Sequence, residues 1–361
     1  MHADRSVFYG SISIFVIVIL IILTYNTTLS LPVVHKTNQA PLGWAYAQSF
    51  QFERRAFSSA AHHNHIYIMG GVNNNGKYVR TVEYSKINSD GSLEPWQTTT
   101  PLSENRFYLD SVVIGRFIYV IGGANGPLGD DNIPLASVER AEILADGRLG
   151  PWIKQAYLTT PRRGLRVVHH NQTIYALGGY NGSFLRSVER ANVLPSGEII
   201  SWDAELEHSL IDRYIHSAAI HNNKIFLLAG HVDKSDVMSY SDVETTTLQP
   251  NKAISPWSME PSRLKQARFI ASATAFNNYL YIAGGHDGTR RLNSVEFARI
   301  SKQGRVSSWR NASTLNTARS ATTLLHYRNF IYVLGGSSDH GVSNTVEYAM
   351  QDKWGNLRLP Q

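Results

Sequence analysis

Short segments rich in β-branched and aromatic residues recur along the chain, and each ends at a pair of small residues. The segments read HIYIMGG, FIYVIGG, TIYALGG, KIFLLAG, YLYIAGG and FIYVLGG. Such residues favour buried strands, and glycine pairs favour strand ends. Turn-forming pairs such as Asn222-Asn223, Asp90-Gly91 and Asp146-Gly147 indicate tight hairpins. The pattern therefore predicts an all-β chain of short strands.

Three further markers recur in phase with these strands. A Trp returns every 50 to 56 residues, an Arg follows each Trp by ten or eleven residues and precedes the small pair by sixteen, and a Val-Glu step follows the pair. The Trp markers are Trp44, Trp96, Trp152, Trp202, Trp257 and Trp309. The repeat arginines are Arg54, Arg106, Arg162, Arg213, Arg268 and Arg319. The repeat glutamates are Glu83, Glu139, Glu189, Glu244, Glu296 and Glu347. These constant spacings predict six copies of one unit.

Each unit contains four predicted strands: one after the Arg, one ending at the small pair, one with Val-Glu and one with Trp. The Gly-Gly pair after an Ile-Tyr strand, the Val-Glu step and the Trp before the next Arg resemble the kelch repeat. The resemblance covers residues 40–361 and implies a six-bladed kelch-type β-propeller around a central channel. Only the fourth repeat departs from the pattern, because Ala229 replaces its first glycine.

The two ends of the repeat region predict how the ring closes. The strand near Gly43 to Ser49 carries Trp44 before any complete unit, whereas the sixth unit has Glu347 but no Trp thirteen residues later. We therefore expect the N-terminal strand to complete the last blade beside Thr345 to Met350. Closure of this kind removes the sheet edges that an open array would expose.

A hydrophobic segment precedes the repeats. Residues 7–25 carry no charge and contain an unbroken apolar stretch from Ile14 to Leu23. This length is just sufficient for one transmembrane helix. Small residues of the Ala-x-Ala kind do not follow the segment, so an uncleaved anchor is favoured over a cleaved signal peptide.

The flanking charges predict the orientation of this anchor. Arg5 lies before the segment, and the first basic side chain after it is Lys36. The positive-inside rule then places residues 1–6 in the cytoplasm, with residues 26–39 as a linker. The propeller, residues 40–361, is expected on the extracytoplasmic side, which could be periplasmic, extracellular or lumenal.

Composition narrows the possible chemistry. The 361 residues are 43% hydrophobic and 17% charged, as in globular proteins, and include no cysteine. This composition excludes disulfides, cysteine nucleophiles and the cysteine-dependent copper cofactor of galactose-oxidising kelch relatives. The net charge of +6 comes from scattered basic residues, so we expect no nucleic-acid binding. Neither Gly-x-Ser-x-Gly nor a phosphate-binding glycine loop occurs, and we expect no metal or other cofactor.

The repeat arginines have two interpretations. Each should begin the strand nearest the axis, so the six could form an anion-binding ring at the channel mouth. Some kelch proteins use arginines at this position to hold acidic partners, and the resemblance keeps this interpretation open. The favoured alternative is that each Arg pairs with the Glu of its own repeat in every blade.

The variable loops after the small pairs are the other candidate site, because function concentrates in loops carried by a rigid frame. They should share one face with the loops that run from each Trp to the next Arg. The candidate binding residues in them are Asp130, Asp131, His231, His286, Asp287 and Arg290. A metal site from loop His and Asp is the weaker alternative, since no His-Glu-x-x-His spacing is present.

Two functional hypotheses follow. The leading one is a monomeric, non-enzymatic binding propeller, displayed outside a membrane, that recognises a protein segment or glycan through the loop face. The alternative is a carbohydrate-acting enzyme, because extracytoplasmic kelch-like propellers include a sialic-acid mutarotase, and Arg with Glu or His could open a sugar ring by acid-base chemistry. The near-uniform repeats favour the first hypothesis over the second. A purely structural scaffold has no sequence feature of its own.

Overall fold

Four antiparallel strands form each blade of the protein, and six blades form a propeller. The computed structural model describes residues 40–127, 131–205, 207–234 and 237–361. The predicted anchor at 7–25, the linker at 26–39 and Asp130 lie outside the described residues. Each blade is numbered here after the repeat that supplies its innermost strand.

The innermost strands contact one another around the axis, each meeting the corresponding strand of both neighbouring blades. In blades 1 to 6 these strands are Ser58–His62, Asp110–Ile114, Arg166–His170, Ser217–His221, Ser272–Phe276 and Thr323–Tyr327. The second strands are the apolar segments that end at the small pairs. They are His65–Met69, Phe117–Ile121, Thr173–Tyr180, Lys224–Leu228, Tyr279–Ala283 and Phe330–Ser338.

The third strands carry the Val-Glu steps, and the outermost strands follow the Trp markers. The third strands are Val82–Lys86, Val138–Glu142, Phe184–Asn192, Val243–Thr247, Val295–Arg299 and Gly341–Gln351. The outermost strands of blades 1 to 5 are Gln97–Thr99, Ile153–Lys154, Asp203–Ala204, Ser258–Met259 and Arg310–Asn311. The predicted number and order of strands in each unit are confirmed.

The sixth blade confirms the predicted closure. Ala45–Ala47 pairs with the third strand of that blade, with Tyr46 opposite Glu347 and Ala47 opposite Val346. A further short strand, Leu357–Arg358, pairs with the same third strand. Two loops form small hairpins of their own, which join Ala124–Asn125 to Ile133–Pro134 and His231–Lys234 to Val237–Ser239.

Tyrosines of the second strands join neighbouring blades. The Tyr67 hydroxyl donates to the Gly147 carbonyl at 2.7 Å, and Tyr119 makes the same bond to Gly197 at 2.6 Å. Both acceptors lie in tight turns of the next blade, and both tyrosines are buried. The Tyr of each Ile-Tyr segment therefore packs its ring between blades while its hydroxyl stays hydrogen bonded, as buried phenols require.

Hydrophobic clusters fill the spaces between adjacent blades. One cluster combines Ile114 and Tyr119 of blade 2 with Leu165, Ile174 and Trp202 of blade 3. Within the part of the chain that the structure describes, no helix has the length and apolar character needed to cross a bilayer.

Candidate functional site

The repeat arginines are buried and paired with the repeat glutamates in every blade. The distances from Arg Nη2 to Glu Oε1 range from 2.5 Å for Arg213–Glu244 and Arg268–Glu296 to 3.2 Å for Arg106–Glu139. The six guanidinium side chains are at most 1% exposed. The repeat arginines and glutamates therefore form buried ion pairs inside each blade.

The constant spacing of sixteen residues has a direct structural cause. Nη1 of Arg162 donates to the carbonyl of Gly178 at 2.8 Å, and the other repeat arginines bond in the same way to the first residue of their own small pair. The glutamates also accept backbone N–H groups from the loop that enters the blade, as Glu189 does from Thr159 at 2.6 Å and Thr160 at 3.0 Å. Each pair thus fastens three segments of one blade together.

This arrangement corrects the hypothesis of an anion-binding ring at the channel mouth. The guanidinium groups of the repeat arginines bind carboxylates and carbonyls inside the blades. Because they are buried, none faces solvent to receive a ligand. The arrangement is the one that the paired alternative describes. We therefore look for a binding site elsewhere on the loop face.

The channel is constricted next to the repeat arginines. Two residues after each of them the chain adopts a positive φ. In blades 1, 2, 3, 5 and 6 the N–H of that residue donates to its counterpart in the preceding blade, as Tyr108 does to Ala56 at 2.7 Å and Gly164 to Tyr108 at 2.8 Å. This backbone ring leaves a void of only about 20 Å³. Towards the opposite face the channel widens into a funnel of about 330 Å³.

A cleft on the loop face, between blades 3 and 4, has a volume of about 830 Å³. We call it the aromatic cleft, after four aromatic rings and an imidazole that line it beside one arginine. These lining residues are Arg163, Tyr180, Phe184, Tyr214, His231 and Tyr240. Leu210 and Asp212 lie at its rim and are exposed.

The repeat frame fixes where these side chains project. The residue after each repeat arginine pairs through its backbone with the residue after the small pair, and in blades 3 and 4 these pairs are Arg163–Tyr180 and Tyr214–His231. In blade 6 the same two positions hold Ser320 and Ser337. The cleft is therefore made by large side chains at two variable positions of an otherwise uniform frame.

The rings of the cleft contact one another in a continuous row, at tilted or edge-on angles. The Arg163 guanidinium carbon lies 4.7 Å from the centre of the Tyr180 ring and 5.4 Å from that of Tyr214. Phe184 lies 5.8 Å from Tyr214 and 6.0 Å from His231, measured between ring centres. Closely packed aromatic and cationic groups of this kind form rigid walls suited to planar or apolar groups of a ligand.

The predicted loop residues are separated by the structure. His231 lines the aromatic cleft, and its Nδ1 lies 2.9 Å from the Met238 carbonyl, which only accepts, so Nδ1 carries the proton. His286 extends the same row of rings, with its ring centre 5.4 Å from that of Phe269, which lies 5.2 Å from the His231 ring.

The other predicted loop residues lie outside the lining of the cleft. Asp287 accepts the backbone N–H of Thr289 and of Arg290, and thereby closes a turn. The Arg290 side chain is 77% exposed. Asp131 is exposed in the blade 2 loop, and its neighbour Asp130 is outside the described residues. Among the residues with described positions, no group of three His, Asp or Glu side chains could hold a metal ion.

The sequence interpretation missed Arg163, Tyr180, Phe184, Tyr214 and Tyr240. A signal for three of them was present when the repeats are aligned with one another. Arg163 and Tyr214 follow the repeat arginines directly and Tyr180 follows a glycine pair, at positions whose residue type differs from repeat to repeat. Variable positions beside invariant ones are where a repeat frame carries function.

One layer of side chains along the channel also differs from blade to blade. Four residues after the repeat arginine, blades 1, 4 and 5 have serine, whereas blades 2 and 3 have Asp110 and Arg166. Asp110 accepts the Val167 N–H at 2.8 Å, and Arg166 donates to the His216 carbonyl at 2.7 Å. Burial raises the pKa of the Asp110 carboxyl above its ordinary value, although the Arg166 cation and the hydrogen bonds oppose this rise.

Comparison with known proteins agrees with this architecture. The model of the Kelch motif matches residues 53–84, 161–190 and 268–296. A solved structure titled "Structure of YjhT" superposes with a TM-score of 0.66 at 15% identity, covering 86% of this chain and 98% of that chain. At this identity the likeness shows the propeller fold.

Curated relatives are longer proteins. Beta-scruin of Limulus polyphemus is 23% identical over 72% of this chain and 27% of its own length. Kelch-like protein 36 of Bos taurus is 25% identical over 73% of this chain and 41% of its own length. Kelch repeat protein C2 of Vaccinia virus is 28% identical over 49% of this chain and 32% of its own length. The chain thus spans less than half the length of these relatives. The Kelch motif model thus matches three segments of this chain, and proteins with kelch repeats are among the relatives to which it is similar.

Proposed function

We propose that this propeller is a binding module that recognises a segment of another protein in the aromatic cleft. The kelch propeller fold supports a protein-interaction role in general. The observation that carries the proposal is the cleft itself, in which Tyr180, Phe184 and Tyr214 meet within 6 Å of one another beside a buried arginine. Rigid aromatic walls with one polar anchor are what a short protein segment needs for orientation and affinity.

Site-directed cross-linking tests the location. Benzoylphenylalanine is introduced in place of Leu210, which is 46% exposed at the rim of the cleft, and separately in place of Ile153, which is 53% exposed on an outermost strand. On irradiation in cells, the Leu210 site should give a discrete protein adduct that Phe184→Ala removes. Equal adducts from both sites, or an adduct indifferent to Phe184→Ala, would place the binding surface elsewhere.

The same proposal includes display outside a membrane through residues 7–25. Its support is the uncharged segment and the charge difference across it. Full-length protein recovered from cells should resist extraction at alkaline pH, and protease added from the extracytoplasmic side should cut after residue 25. Release of the protein by alkali would contradict the anchor without affecting the cleft.

A sugar-ring isomerase is the second candidate, and Asp110 with Arg166 favours it. These residues place one titratable carboxyl group and one fixed cation in a channel layer that is otherwise built from hydroxyl side chains. The test follows the interconversion of sialic-acid anomers by NMR with the wild-type protein and with Asp110→Asn. Acceleration that Asp110→Asn abolishes would support the enzyme, and a rate equal to buffer alone would exclude this substrate.

A further inference from the structure

Arg163 differs from the other buried arginines of the propeller. Arg163 is only 6% exposed as a residue, and it lines the aromatic cleft. The Nε atom is buried without a hydrogen-bond partner. Within the described residues, no carboxylate lies at ion-pair distance from Arg163, whereas every repeat arginine has a glutamate.

The carboxylate in the lining of the cleft already has a cationic partner. Asp212 forms an ion pair with Arg186, with Oδ1 3.2 Å from Nε, and its side chain is 66% exposed. The contacts of the Arg163 guanidinium are instead the faces of Tyr180 and Tyr214. Ring faces attract a cation but accept no hydrogen bond in the plane of the guanidinium, so its forked donors stay open.

A buried cation without a counter-ion is costly, and the cost falls when an anion arrives from outside. The planar fork of a guanidinium matches a carboxylate, which can accept two parallel N–H bonds. Phe184 and Tyr240 border the same space, so the group beside that carboxylate meets aromatic walls.

We propose that Arg163 is the anchor of the aromatic cleft for a carboxylate of the bound protein segment, with an apolar or aromatic residue next to it. This inference rests on the proposed binding function and specifies its ligand. The carboxylate comes from an acidic side chain or from the C-terminal residue of the bound protein. Both sources offer the same two oxygens to the guanidinium.

A matched control exists inside the protein. Arg55 occupies the position of Arg163 in blade 1 and makes the same backbone pair, with Arg55 N to Val72 O at 3.0 Å, as Arg163 N does to Tyr180 O at 3.0 Å. It is exposed and lies outside the lining of the cleft. Arg55→Met and Arg163→Met therefore remove the same charge from equivalent places in the frame.

The test selects random twelve-residue segments on phage against the full-length protein in mild detergent, in the wild type and in both variants. Wild type and Arg55→Met should enrich Asp or Glu next to apolar residues, and Arg163→Met should not. A synthetic selected peptide should lose at least about tenfold in affinity when its acidic residue becomes the matching amide. Against Arg163→Met the two peptides should bind equally. Versions with a free or amidated C-terminus separate the two sources of the carboxylate.

Other outcomes overturn the inference. Selected segments that need Phe184 but show no acidic preference would remove the carboxylate anchor and leave the proposed binding function standing. Segments indifferent to Phe184 would remove both. Arg163-dependent binding of sialylated glycans without any bound peptide would overturn the protein segment as ligand. Because the acid-to-amide comparison needs only the wild-type protein, it decides the question even if Arg163→Met fails to fold.

Discussion

Nη2 of Arg162 lies 2.7 Å from Oε1 of Glu189, with both side chains buried. On the surface, Nε of Arg148 lies at the same 2.7 Å from Oδ2 of Asp146, with the two side chains 63% and 51% exposed. The two ion pairs therefore have the same length, but one is buried and the other is exposed to water. Removing one partner of a buried pair leaves an uncompensated charge, whereas water takes over at the surface.

Arg162→Met should therefore destabilise the propeller by about 3–5 kcal/mol in urea unfolding. The variant with both Arg162→Met and Glu189→Met should lose less than the sum of the single losses, with a coupling of about 1–3 kcal/mol. Arg148→Met serves as the control and should leave the unfolding midpoint unchanged. A small effect of Arg162→Met would mean that the buried pair does not hold the blade together.

Stability should fall in mild acid because of buried histidines. Burial lowers the pKa of His216 well below its usual range, with Arg213 and Arg166 acting in the same direction, and burial lowers the pKa of His326 to about 4. The unfolded chain binds these protons near pH 6.5, and the folded chain does not. Stability should be level above that pH and decline as the pH falls from about 6.5 towards 4.

Replacing His216 isolates its share of this pH dependence. Leucine is the natural substitute, because Leu109 and Leu165 occupy the same repeat position in blades 2 and 3. At pH 5.5, His216→Leu should remove a penalty of about 1.4 kcal/mol relative to its effect at pH 7.5. Exposed His340→Leu is the control and should leave the slope unchanged. Parallel curves for His216→Leu and the wild type in urea unfolding between pH 4.5 and 7.5 would disprove the role of His216.

Ala229 should be a strained residue. It adopts φ +59°, a conformation that costs an L-residue energy but not glycine, at the position where the other repeats have glycine. Ala229→Gly should stabilise the protein by about 0.5–1 kcal/mol in urea unfolding. At the equivalent position in blade 2, a Cβ on Gly122 would lie 2.7 Å from the Arg162 carbonyl oxygen. Gly122→Ala should therefore destabilise, and a loss of stability in Ala229→Gly would refute this explanation.

Closure of the ring should depend on Trp44. This residue is 4% exposed, and its Nε1 donates to the Ser313 carbonyl at 2.9 Å, across the junction of the two ends of the repeat region. Trp44→Ala should cost about 3–5 kcal/mol. Trp354, which is 48% exposed, provides the matched control, and Trp354→Ala should be within about 0.5 kcal/mol of wild type. Equal unfolding midpoints for the two variants would show that the closing strand contributes little.

The frame of the propeller was predictable because it is local and repeated. The intervals between Trp, Arg, small pair and Glu reflect hydrogen bonds within one blade, such as Arg162 Nη1 to the Gly178 carbonyl. Because the spacing occurs six times, it can be recognised in the sequence without any knowledge of contacts between neighbouring blades. The pairing of Ala45–Ala47 with the last blade was also predictable, since the Trp strand that the sixth unit lacks is present at the N-terminal end of the repeat region.

The candidate site was much less predictable. His231 was identified as a loop residue, but its ring contacts with Phe184 and Phe269 join three different blades. Arg163 was not identified as a candidate, although it directly follows the repeat arginine Arg162. The Arg162 guanidinium lies inside the blade, whereas the side chain of the next residue, Arg163, lines the cleft. The two arginines differ in side-chain direction and not in residue type.

The sequence by itself determined the strands, their order and the number of blades, because these rest on contacts between residues at constant spacing within one repeat. It also determined how the ring closes, because the Trp strand that the sixth unit lacks is present at the N-terminal end of the repeat region. The tertiary structure decided between the two interpretations of the repeat arginines, and it alone placed Arg163 in the lining of the aromatic cleft. The repeat arginines and Arg163 carry the same group, and only burial, neighbouring carboxylates and the juxtaposition of blades 3 and 4 distinguish them. The lining of the cleft joins residues from different repeats, and linear spacing does not encode it.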